Sequence, residues 1–175
     1  MASRAGMSGF TLIELMMVIG IVAVLAVLAL PAMGDMVVAN RMKALSLDLY
    51  SSLALARSEA IKRNISTVSM IAAGGDWQNG WTVTCVDTAN ACGGGGNLVL
   101  MAGDAVDASI RLTEANGITM ITFSRDGRLA TAVSSLRVIY TANNSKVPLR
   151  CVELSVSGRP KTLVDTNAAD ADGCN

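Results

Sequence analysis

The sequence predicts an α+β fold, in which one long N-terminal α-helix packs on an antiparallel β-sandwich-like globular domain. Three observations predict it. Residues 10–30 are an almost unbroken apolar run, residues 36–63 repeat apolar positions at helical spacing, and from residue 64 onward short alternating segments are separated by Gly- and Asn-bearing turns. The expected organisation is a leader at 1–9, a membrane-crossing helix at 10–30, an amphipathic continuation at 31–63 and a β-rich domain at 64–175.

The apolar run accounts for an unusual composition. Of 175 residues 51% are hydrophobic and only 16% charged, against about 25% charged in an ordinary soluble domain. At about 1.5 Å per residue, Phe10 to Leu30 extends roughly 31 Å, enough for a bilayer core. Fourteen basic and fourteen acidic residues cancel, so no bulk polyanion is announced as a partner. The absence of histidine removes His-based triads and His metal sites, and 3% aromatics leave little for base stacking.

The helix is expected to run on from Phe10 past Pro31, with Gly34-Asp35 as a candidate break, because Met36 to Arg63 is rich in Ala, Leu, Met and Lys. Leu45, Leu49, Leu53, Ala56 and Ala60 form one face, suited to covering a sheet. Glu59 precedes Lys62 by three and Arg63 by four, the spacing of helix ion pairs. Arg57, Lys62 and Arg63 then read as a solvated basic face, and Asn64 as the C-terminal stop. Strands are expected at Thr67–Ile71, Trp81–Val86, Ile118–Phe123, Leu136–Tyr140 and Val152–Val156, with weaker signals at Leu98–Met101 and Thr162–Val164. Gly93 to Gly96 lacks the Lys-Ser/Thr and following helix of a phosphate-binding loop.

Glu14 is the one charge inside the apolar run. A carboxylate there costs up to about 2.5–3.5 kcal/mol on insertion scales, so it needs a partner or a task. No basic residue stands three or four positions away, which points to another chain or to a terminal amine created by cutting after Gly9. The segment Gly9-Phe10-Thr11-Leu12-Ile13-Glu14-Leu15, behind a short leader bearing Arg4, resembles the processing site of type IV prepilins and type II secretion pseudopilins. The resemblance implies cleavage between Gly9 and Phe10 by a prepilin peptidase, N-methylation of Phe10, and a role for Glu14 in assembly. It also implies other major and minor pilins or pseudopilins, an inner-membrane assembly platform and inner-membrane lipid as partners. The location implied is a single pass of the bacterial inner membrane with the C-terminal domain in the periplasm, followed by entry into a filament. The segment Arg57-Ser58-Glu59-Ala60-Ile61-Lys62-Arg63-Asn64, with Gly80-Trp81 and Phe123-Ser124-Arg125-Asp126-Gly127-Arg128, is similar to the H-type pseudopilins and the FimT/FimU minor pilins.

Four cysteines follow the anchor: Cys85, Cys92, Cys151 and Cys174. The favoured pairing is Cys85–Cys92, closing the glycine-rich loop, and Cys151–Cys174, tying down the acidic tail. A four-cysteine zinc site and free buried thiols are the rival readings. Asp104 and Asp107 read as a solvated pair, so no catalytic residue, metal or cofactor is assigned. Two roles remain open. One is a structural subunit that helps to initiate or cap a pilus or pseudopilus. The other is DNA binding during uptake, implied by resemblance to the FimT-like subset with its basic Gly-Arg segment. Here that segment is Gly158-Arg159-Pro160-Lys161, with Arg150 as a third candidate contact and Asp165, Asp170 and Asp172 opposing a polyanion.

Overall fold

A computed structural model describes residues 10–65, 67–86, 92–93, 96–131, 135–142 and 147–165, with the backbone alone for 28–32. The chain divides into two compact units, Met1–Val37 and Val38–Asn175.

Helix α1 spans Leu12–Arg63, 52 residues. It begins two residues later than the sequence suggests because Thr11 caps it, and it is helical through Gly34-Asp35. In the first unit every described side chain from Phe10 to Val27 is exposed. Among the described residues no helix is long and apolar enough to cross a membrane.

In the second unit the expected apolar face is the core face. Met42, Leu49, Leu53, Ala56 and Ala60 are fully buried, and Leu45 packs at the margin. The helix stops at Asn64, which takes a left-handed φ of 55°. Its N–H donates to Ile61 O at 3.1 Å, and the Ile65 N–H donates to Ala60 O at 3.1 Å. These two bonds satisfy carbonyls that the ending helix would leave open, and asparagine tolerates the required conformation better than most residues.

Eight strands follow: β1 Val68–Ala72, β2 Trp81–Cys85, β3 Leu98–Gly103, β4 Ile110–Glu114, β5 Met120–Phe123, β6 Ser135–Tyr140, β7 Arg150–Leu154 and β8 Pro160–Val164. They form two antiparallel sheets, ordered β3-β2-β1-β5 and β4-β6-β7-β8. One core joins them to α1, with Val68, Met70, Val83, Ile121 and Phe123 from the first sheet and Leu112, Leu136, Val138 and Val152 from the second. Trp81 Nε1 donates to the buried Ser52 Oγ at 2.8 Å, tying β2 to the helix.

Two differences from the sequence reading have local causes. Strand β4 was not anticipated, although Ile110 and Leu112 alternate with Arg111 and Thr113 before Asn116-Gly117. Strand β7 begins at Arg150 and ends at Leu154, earlier than the expected Val152–Val156, because Ser155 opens a turn: its N–H donates to Arg159 O at 3.1 Å.

Candidate functional site: the N-terminal helix and a pair of basic turns

The first candidate site is the start of α1. Gly9 lies outside the described residues, and Phe10 is 90% exposed. Glu14 finds a partner the sequence reading did not assign. Its Oε2 accepts from the Thr11 N–H at 2.9 Å and from Thr11 Oγ1 at 3.0 Å, while the Glu14 N–H donates to Thr11 Oγ1 at 3.3 Å. This is a reciprocal capping box, and it satisfies donors that the first helical turn leaves open. The signal was legible as Thr-x-x-Glu. It is not a counter-charge, because the partner is a hydroxyl and a backbone amide.

Cys85 and Cys92 form a disulfide, with Cα atoms 5.9 Å apart. Cys151 is buried and also disulfide-bonded, while Cys174, its expected partner, lies outside the described residues. Among the described residues no three acidic, Cys or His side chains gather as a metal site. Asp104 and Asp107 are exposed on the loop between β3 and β4, and Asp107 bonds Arg41 at 3.1 Å. Hydrogen bonds from Ser109, with the Arg41 charge behind them, hold the Asp107 carboxyl below its ordinary range.

The second candidate site is built from two turns of one pattern, Ser-x-x-Gly-Arg. Ser124 to Arg128 follows β5, and Ser155 to Arg159 joins β7 to β8. In each, the serine N–H donates to the arginine carbonyl, at 2.9 and 3.1 Å, and the glycine N–H donates back to the serine carbonyl at 2.8 Å, while the Ser124 hydroxyl donates to the Asp126 carboxylate. The turns abut: Leu129 N–H donates to Val156 O at 3.4 Å, and a Cβ on Gly158 would strike the Gly127 carbonyl. Arg57 reaches from α1 and donates Nε–H to Gly127 O at 2.9 Å.

Arg128 and Arg159 stand exposed on the paired turns. A cavity of about 310 Å³ beside Arg159 is lined by Tyr50, Ala54, Arg57, Ser58, Ile61, Arg159 and Pro160. Lys161 is exposed on β8 opposite Glu153. Arg150 lies at the other end of β7, opposite Val164, and alternation puts it on the opposite sheet face from Lys161. The structure therefore groups Arg159 with Arg57 and Arg128 rather than with Arg150. Arg57 is also no purely solvated side chain, because the turn carbonyl fixes it. The rest of that helix face pairs as the spacing predicts, with Glu59–Arg63 at 2.7 Å and Glu59–Lys62 at 3.4 Å. The bond from Arg63, with both charges behind it, holds Glu59 below its ordinary range. Arg63 also donates to Cys92 O at 3.2 Å, joining the helix end to the disulfide loop.

A long helix packed on two antiparallel sheets, with a capped and wholly exposed apolar start, defines the pilin class of fold. The family described as type II transport protein GspH matches residues 46–158, and the prokaryotic N-terminal methylation motif matches residues 4–30. The chain belongs to the GspH family. Two crystal forms of the type IV minor pilin FimU from Pseudomonas aeruginosa (strain PAO1) share the fold, each with a TM-score of 0.56. One is 18% identical and covers 73% of this chain and 99% of its own, and the other is 20% identical and covers 74% and 96%. No curated protein sequence matches.

Proposed function

We propose that this chain is a minor pilin or pseudopilin, a non-catalytic subunit that enters a filament through its N-terminal helix and helps to initiate or cap it. One observation carries the reading: α1 presents exposed apolar side chains from Leu12 to Val27, broken only by Glu14 and Gly20, ahead of a folded domain. A helix that is apolar all round needs either lipid or other helices as its surroundings. The methylation motif supports cleavage after Gly9 by a prepilin peptidase and N-methylation of Phe10. Phe10 to Leu30 would then hold the subunit in the inner membrane, with the β-domain in the periplasm, until assembly.

Intact mass and N-terminal sequencing of the membrane form test the reading. The expected product has 166 residues (175 minus 9) and begins at methylated Phe10. A mature chain beginning near Ala32, or retaining Met1, overturns it. Glu14 is tested by two substitutions. Glutamine keeps the capping box and removes the charge, whereas alanine removes both. If Glu14 pairs with the Phe10 amine of a neighbouring subunit, both variants insert in membrane and both fail to crosslink to neighbouring pilins. Normal incorporation of Glu14→Gln overturns the pairing.

The paired turns favour a second reading, in which the domain binds DNA backbone through phosphate contacts. Arg57, Arg128 and Arg159 stand together, and Arg128 and Arg159 are exposed. Binding of this kind is independent of sequence and weakens by a slope of about 0.9 per phosphate neutralised. Replacing Arg128 and Arg159 by alanine should lower the slope by about two in a low-salt gel-shift series. An unchanged slope overturns this reading and leaves the first intact.

A further inference from the structure

A cavity of about 480 Å³ in the second unit belongs to neither candidate site. It opens between α1 and the loop that joins β3 to β4. Leu45, Met101 and Val106 give it apolar walls, and all three are only partly buried. Its charged lining is Arg41, Asp48, Asp104 and Asp107, three aspartates to one arginine, a surplus of two negative charges. Arg41 is taken up by Asp107 at 3.1 Å. Asp48 and Asp104 are exposed, and among the described residues neither has an ion-pair partner.

The paired Ser-x-x-Gly-Arg turns have the complementary make-up. Residues 124–128 and 155–159 hold Arg125, Arg128 and Arg159 against the single acid Asp126, a surplus of two positive charges. Val156, in the second turn, is 75% exposed, more than any other large apolar side chain described in the second unit. The two surfaces also point apart. The α1 residues lining the cavity lie between 41 and 48 and those beside Arg159 between 50 and 61, roughly 150° apart around the helix. In the first sheet the cavity adjoins the end of β3, and the Ser124 turn follows β5, the strand at the opposite edge. Gly103 is level with Trp81 and Ala72, whereas Phe123 is level with Val68, so the two stand at diagonal corners. One chain cannot fit its own turns into its own cavity, but two chains side by side can.

We propose that this cavity is a socket for the paired turns of a second copy of this chain. Val156 of one copy seats against Leu45, Met101 and Val106 of the next, and Arg128 and Arg159 lie beside Asp48 and Asp104. Charge complementarity identifies the occupant, because the surplus on one surface matches the surplus on the other. The ion pairs stand at the rim, where each adds little energy and serves to fix orientation, while the apolar contact at the centre excludes water. The contact is heterologous. Each copy keeps an open cavity on one flank and open turns on the other, so copies join head to tail and do not close as a two-fold pair. It rests on the filament reading, in which copies stand with their helices side by side, and it competes with DNA for Arg128 and Arg159.

The test uses two differently tagged full-length chains in one membrane. One carries Ala105→Cys at the cavity and the other Val156→Cys, while the native Cys85 and Cys92 are already bonded to each other. Mild oxidation should give a mixed dimer at least fivefold above either variant alone, and above the exposed control Ala115→Cys combined with Val156→Cys. Asp48→Arg with Asp104→Arg in the first chain should lower the crosslink at least fivefold. Arg128→Asp with Arg159→Asp in the second chain should then restore it, with the Cys85–Cys92 bridge formed throughout. Nuclease should leave the crosslink unchanged. A mixed dimer no stronger than the Ala115 control, equal crosslinking by Val156→Cys alone, indifference to the charge reversal, or loss on nuclease treatment would each overturn the proposal. Processing to methylated Phe10 without the mixed crosslink refutes this contact and leaves the filament reading standing.

Discussion

Gly127 and Gly158 face each other where the two Ser-x-x-Gly-Arg turns meet, with φ of 76° and 73°. Left-handed backbone costs an L-residue about 1–2 kcal/mol by itself. At Gly158 a methyl group would also meet the Gly127 carbonyl, which is backbone and cannot swing aside. Gly117 has a similar φ of 70° with open space around it, so it isolates the conformational cost. Gly117→Ala should lose about 1–2 kcal/mol and Gly158→Ala clearly more, read as denaturation midpoints of the two variants side by side. The same turns contain a proton-linked group. The Ser124 hydroxyl bond, followed by the Arg128 N–H, holds the Asp126 carboxyl below its ordinary range. A depressed carboxylate contributes stability above its unfolded pKa, and that contribution is lost as pH falls through the folded value. The Ser124 and Arg128 amide resonances should therefore hold steady through neutral pH and shift only in acid, at a lower pH than a free aspartate would give. At this scale much of the chemistry was present in the sequence. The Thr-x-x-Glu pattern and both Gly-Arg turns can be read directly. The bonds from the Gln78 side chain to the outer side of β4 cannot, because Gln78 and Leu112 are 34 residues apart and only the fold joins them.

Among the elements, α1 and seven of the eight strands were legible from their periods, because a helix that covers a sheet and strands that bury one face must show them. Strand β4 was passed over for a physical reason. It carries Arg111 and Glu114, the latter buried and accepting from the Asn116 and Ile118 N–H groups at 2.7 and 2.8 Å. A charged residue that the tertiary fold has paired looks, in sequence, like a loop residue. The hairpin between β2 and β3 gives a separate prediction. Its disulfide closes a separation of seven residues, for which loop-closure entropy amounts to about 2–3 kcal/mol. The double variant Cys85→Ala/Cys92→Ala should lose about that much in chemical denaturation, and non-reducing peptide mapping should find Cys85 joined to Cys92 in the parent chain. The same map tests the Cys151–Cys174 pairing, and a Cys85–Cys151 peptide would refute both bridges.

For the molecule as a whole, one side chain completes a sheet edge: on the outer side of β4, Gln78 Oε1 accepts from the Leu112 N–H at 3.0 Å and Gln78 Nε2 donates to Ile110 O at 2.9 Å. Gln78→Ala removes the clamp from β4 and leaves the Leu112 N–H and Ile110 carbonyl without that partner. Leaving partly buried backbone groups unbonded costs about 1–3 kcal/mol. The variant should lose stability in that range, read as a denaturation midpoint, and the opened β4 edge should make it more prone to associate, read by sedimentation in detergent. A stability loss without any change in size distribution would show that the clamp braces β4 without guarding it.

The arrangement of α1 in the second unit also has a mechanical meaning. Its buried residues run from Met42 to Ala60 along a single line, a length of about 27 Å at 1.5 Å per residue. Tension applied along the helix axis loads these contacts in parallel, in shear, so they share the force and yield together. A pull across the axis would peel them one at a time. At the far end of the line, Arg57 grips the turn between the sheets, and Arg63 holds the covalently closed loop at Cys92. Force carried along the helix within this unit thereby also reaches the β3-β2-β1-β5 sheet at two points beyond the packed line, the turn after β5 and the loop between β2 and β3.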